Sequence, residues 1–160
     1  MAYSWSLFEN LKIVEGDSCV TTNAAVTGDY VSLKNAHKAW VVFHFTQAAT
    51  HETICSILEA TAVVGTSATA ITTVMPNRYN QDTSTTDALT KGTAAATVTL
   101  LAGTTNQIVI IEVDPAILSD GFDCIAGYTT ASSEPTNFVN ITYLLATRYP
   151  QQTPPTAITD

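Results

Sequence analysis

Positive charge is scarce in this sequence. Six Lys and Arg stand against fourteen Asp and Glu over 160 residues, a formal net charge of -8. A DNA-binding face needs clustered cations to displace counterions, and none are clustered in the sequence. The same shortage excludes electrostatic attraction to anionic membrane. Charge of either sign is sparse, at 12% of residues, about half the usual share. No charged residue occurs between Lys91 and Glu112 or between Glu134 and Arg148. Acid–base chemistry has few groups to work with. No apolar run approaches the length of a membrane span. The first ten residues, MAYSWSLFEN, have neither a basic nor a long apolar region, so no secretory signal is expected. Cysteine is limited to Cys19, Cys55 and Cys124. The number is odd and no CxxC pair exists, so reduced, mostly buried thiols are expected.

The motifs of catalysis are missing as well. There is no GxSxG elbow, and the glycines are scattered singly, which leaves no phosphate-cradling loop. His37, His44 and His51 fall in a turn, mid-strand and beyond a strand end, a spacing that does not converge on a metal. His44 is expected to be half-buried and hydrogen-bonded to a neighbour. Asp120 and Asp123 flank a turn, where capping explains them. The segment Asn80–Asp87 has oxygen ligands spaced weakly like a calcium loop, but it lacks the glycine and the bidentate Glu. Local Asx and Ser/Thr turns explain it more simply. No catalytic residue, cofactor or metal site is therefore expected, and the chain is not expected to be an enzyme.

What the sequence has in abundance is Thr, Val, Ile and Ala, with 46% hydrophobic residues. The β-branched members favour pleated, half-buried surfaces. Strands are expected over 11–20, 30–33, 39–46, 69–75, 93–101, 106–114, 122–128 and 138–148. In AWVVFHFT, Trp40, Val42 and His44 share one face while Val41, Phe43 and Phe45 share the other. The segment 52–64 could be helix or strand. Consistency with an otherwise all-β pattern favours strand. Turns are expected at 34–38 and a polar loop over 78–92. Asp114-Pro115 has the N-cap and first-position chemistry of a one-turn helix, and Gly121 suits its stop. The predicted fold is an all-β antiparallel β-sandwich or jelly roll over 11–149. It carries an N-terminal arm (1–10) and an extended, Pro-rich C-terminal tail (150–160).

Three stretches resemble a known family. These are AWVVFHFTQAATHETICSILEAT, MPNRYNQDTSTTDAL, and NQIVIIEVDPAILSDGFDCIAGYTTASSEPTNFVNITYLLATRYPQ. Together, over roughly 38–150, they resemble head decoration, or cement, proteins of tailed bacteriophages. The resemblance implies a non-enzymatic sandwich that binds the outside of a capsid as an oligomer. The implied partners are the major capsid protein and further copies of the chain, a homotrimer ahead of a homodimer, with no nucleic acid or membrane. The implied location is the virion exterior. A tail or fibre module and a carbohydrate-binding jelly roll are the alternatives. The candidate contact residues are the aromatics of the arm, Tyr3, Trp5 and Phe8, and the prolines of the tail, Pro150, Pro154 and Pro155. Aromatic anchors dominate many interfaces, and prolines lower the ordering cost of an extended segment.

Overall fold

The computed structural model describes residues 7–148; within α1 it leaves the Phe8 and Glu9 side chains undescribed. A single helical turn, α1 (Leu7–Asn10), leads into twelve strands. These are β1 (Leu11–Thr21), β2 (Val26–Thr27), β3 (Val31–Ser32), β4 (Ala36–Gln47), β5 (Thr53–Ala60) and β6 (Thr69–Ala70). They are followed by β7 (Asn77–Asn80), β8 (Thr90–Lys91), β9 (Thr97–Leu100), β10 (Asn106–Val113), β11 (Cys124–Thr129) and β12 (Asn137–Thr147). One six-stranded sheet runs β1-β12-β4-β10-β7-β8. The other runs β2-β11-β5-β6, with β3 also pairing β11 and β9 also pairing β5. Every pairing between these strands is antiparallel. The last four strands alternate between the sheets, as in jelly rolls. The all-β sandwich expected from the sequence is the fold observed.

Strict alternation builds the core. Along β4, Val41, Phe43 and Phe45 are buried while Trp40 and Val42 are half-exposed and His44 is exposed. Along β10, Val109, Ile111 and Val113 face inward; along β12, Val139, Ile141, Tyr143 and Leu145 do. The second sheet answers with Val31, Cys55, Ile57 and Ile125. The period of two places each set between the sheets. The two sheets are also tied by a polar bridge. The buried Tyr143 hydroxyl accepts from the Gly127 N–H at 3.0 Å and donates to the Asp29 carbonyl at 2.8 Å. Its ring needs the glycines around it. A Cβ on Gly16 would lie 2.4 Å from the ring, and one on Gly28 would lie 2.8 Å from the hydroxyl.

Several boundaries differ from the sequence reading. The polar loop over 78–92 contains two short strands, because Arg78 and Tyr79 pair with both β10 and Lys91-Thr90. The expected strand over 69–75 survives only as Thr69–Ala70, and that over 93–101 as Thr97–Leu100. The expected turn at 34–38 ends early, since β4 already starts at Ala36. His44 is exposed rather than half-buried, because it stands on the outer face of its sheet, where no described segment covers it. Thr53–Ala60 is strand, as favoured, and Asp114 caps the one-turn 3-10 helix Pro115–Ile117 by accepting from the Ala116 N–H at 2.9 Å.

Candidate partner-binding surface

The sequence-predicted contact residues Tyr3, Trp5, Pro150, Pro154 and Pro155 lie outside the described residues, and Phe8 lies in α1 with its side chain outside the description. The structure does place the points from which those segments depart. Leu11 pairs with Ala146, and the Thr147 hydroxyl reaches the Asn10 carbonyl at 3.5 Å. The described chain thus begins and ends side by side, at one end of the six-stranded sheet.

The outer face of that sheet is unusually apolar for the solvent side of an antiparallel sheet. Leu144, Trp40, Val42, Ile108 and Ile110 stand on it, half-exposed, and Ile13 on the edge strand is 51% exposed. The strand register arranges them in rows. One row runs Glu15, Thr142, Val42, Ile110, Arg78 and Lys91, one residue per strand from β1 to β8. The row above it holds Ile13, Leu144, Trp40 and Glu112.

At the β8 side these rows form a cleft of about 330 Å³, with Trp40, Ile110, Pro76 and Ala94 giving it apolar walls. Glu112 organises one side. Its carboxylate accepts from the Lys38 ammonium at 2.7 Å and from the Trp40 indole N–H at 3.0 Å. The Lys38 bond is the main reason its carboxyl is held below the usual range, and burial opposes the shift. Arg78 and Lys91 form the other side. They sit directly opposite each other and are both exposed. The ion pairs among the described residues are Lys34–Asp123 and Lys38–Glu112, so neither of these two cations has a carboxylate partner there.

At the opposite edge, the pairing of β1 shifts register between Glu15 and Asp17 and between Asp17 and Val20. Cys19 sits in that region, exposed, with φ of +24°. Glu15, Asp17 and Asp29 line a polar groove of about 200 Å³ there. Burial raises the Asp17 carboxyl above its usual value, and the charges of Asp29 and Glu15 add to the rise.

Sequence reading missed both ends of this face. Arg78 and Lys91 are thirteen positions apart inside what reads as a polar loop, and only the β7–β8 pairing brings them together. Their one visible signal was scarcity: with Lys38, they are three of the six Lys and Arg in the chain. The loop that mimics a calcium site is held by its own turns, with the Asp82 carboxylate accepting from the Ser84 N–H and hydroxyl at 3.0 and 2.5 Å. Among the described residues no group of three or more His, Cys, Asp or Glu is arranged to hold a metal, and no helix is long and apolar enough to cross a membrane.

No protein-family model matches the chain, and no curated protein matches it. The crystal structure of the SPBc2 prophage-derived protein YomS is similar, with a TM-score of 0.50 over 86% of this chain and 94% of that one, at 9% identity. At that identity the similarity is one of fold.

Proposed function

We propose that the chain is a non-enzymatic structural protein of a bacteriophage virion, a decoration protein that binds the outside of the capsid and reinforces it. The observation that carries the phage reading is the shared fold with a prophage-derived protein over nearly the whole of both chains. The resemblance of residues 38–150 to head decoration proteins supports the finer reading, with the major capsid protein as partner. The physics is compatible with both. A protein that binds only the assembled shell stabilises it by mass action and needs no cofactor. The half-exposed apolar face of the six-stranded sheet and the adjacent departure points of arm and tail are the parts available for such contacts. The same reading includes self-association, a trimer ahead of a dimer, because closed symmetry suits the local axes of a shell.

The test is biochemical fractionation of phage particles. The protein should copurify with full and empty heads in a fixed ratio to the major capsid protein. Heads lacking it should release DNA at a lower temperature than decorated heads. Deleting residues 1–8 should lower occupancy while the sandwich stays folded. Recovery of the protein only with tails would replace the head assignment by a tail module. Equal release temperatures for bare and decorated heads would remove the reinforcing role.

A further inference from the structure

Two features of the six-stranded sheet are unexplained by the folded protomer alone. At the β8 edge, Arg78 and Lys91 face each other without a carboxylate partner among the described residues. Like charges placed directly opposite on an antiparallel pair are destabilising. At the β1 edge, Glu15, Asp17 and Asp29 share a groove, again without a cation in an ion pair among the described residues. Each patch carries a repulsion that an opposite charge would relieve. The two cannot relieve each other within one molecule. Five strand spacings separate Glu15 from Lys91, about 24 Å at the usual strand separation.

The register makes the relation between them specific. Glu15, Arg78 and Lys91 belong to the same cross-strand row, so they stand at one level on the sheet. Exposed Ile13 lies beside the acidic end, and the apolar walls of Trp40, Ile110 and Pro76 lie beside the basic end. Each end therefore combines one sign of charge with apolar surface.

We propose that the β1 edge of one copy docks against the β7–β8 edge of a second copy. Glu15 and Asp29 of the first then meet Arg78 and Lys91 of the second, and Ile13 enters the Trp40 cleft. The contact is heterologous, joining two different patches, so it propagates head to tail and closes into a ring when the rotation per step divides a full turn. A two-fold axis passing through either edge alone would instead bring like charge to like charge. This inference rests on the self-association proposed above and names the surfaces that perform it.

Sedimentation velocity and light scattering on the full chain test it with two charge-reversed variants. All four changed side chains are exposed, and far-UV circular dichroism with melting curves checks that both variants fold. Arg78→Glu/Lys91→Glu makes both edges acidic, and Glu15→Lys/Asp29→Lys makes both basic. Each variant alone should associate at least ~10-fold more weakly than the parent chain, and an equimolar mixture should recover association, because each basic edge then meets an acidic one. Raising NaCl from about 0.05 to 0.5 M should weaken association of the parent chain roughly tenfold through screening. An oligomer that survives either reversal unchanged, or variants that stay monomeric when mixed, overturns these surfaces and leaves self-association standing. A parent chain that is monomeric at low salt up to high micromolar concentration overturns self-association itself.

Discussion

Removing one oxygen atom from Tyr143 should cost much of what the bridge between the sheets contributes. In Tyr143→Phe the ring still fills its site, so its packing in the core beside Gly16 and Gly28 is retained. What disappears is the acceptor for the Gly127 N–H and the donor to the Asp29 carbonyl. Gly127 and its bond to the hydroxyl are buried, whereas Asp29 is exposed, so its carbonyl has water as an alternative partner. One buried donor left unpaired costs about 1–3 kcal/mol, so a loss near 2 kcal/mol is expected. For a chain of this size that corresponds to roughly 4–8 °C in melting temperature. Urea titration with an unchanged slope and a lower midpoint would show that the loss is in stability and not in denatured-state compactness. A companion change sharpens the argument. Gly16→Ala places a methyl 2.4 Å from the tyrosine ring and 2.8 Å from its hydroxyl, so the ring has to shift and its hydroxyl geometry is disturbed. The two substitutions should therefore be strongly non-additive, since Gly16→Ala already disturbs the bonds that Tyr143→Phe removes. A Tyr143→Phe protein within about 0.5 kcal/mol of the parent, or costs that simply add, would refute the bridge as a stabilising element.

The same phenol gives a pH test. Burial is the main cause that raises its pKa above the ordinary 10.0, so the folded protein keeps the proton while the unfolded chain gives it up. Stability should fall as pH rises above about 10, and the part of that fall due to Tyr143 should be absent in Tyr143→Phe. Thiol labelling should find one fast cysteine, Cys19, and two protected ones, because burial raises the Cys55 thiol and, with the Asp123 carboxylate beside it, pushes Cys124 up to about 12. With all three cysteines free, a reductant should leave the melting temperature unchanged; a drop of several degrees would contradict this. Ser119→Ala should destabilise by about 1 kcal/mol, since the buried Glu59 carboxylate loses the hydroxyl donor at 2.5 Å and keeps only the Ser119 N–H at 2.9 Å. Glu112→Gln should change Trp40 fluorescence and lower stability only slightly, as expected of a half-exposed pair; a large destabilisation would mean that the cleft wall is part of the core.

The sequence by itself determined the class of fold and the interior. Alternation in β4, β10 and β12 is a local property with a period of two, and it assigned Val41, Phe43 and Phe45 to the core before any partner strand was known. The Asp114-Pro115 cap was equally local, since an Asp side chain and a fixed proline φ act within one turn. Short strands were harder, because residues such as Arg78-Tyr79 and Thr90-Lys91 have no apolar pattern and are strands only through their partners. Only the tertiary structure decided the surface. The pairing of β1 with β12 set Leu11 beside Ala146, and the order of six strands put Glu15 at one edge and Arg78 with Lys91 at the other. The Tyr143 bridge likewise joins residues 16 and 114 positions apart. Register and strand order arise from contacts between distant segments, and no window of neighbouring residues contains that information.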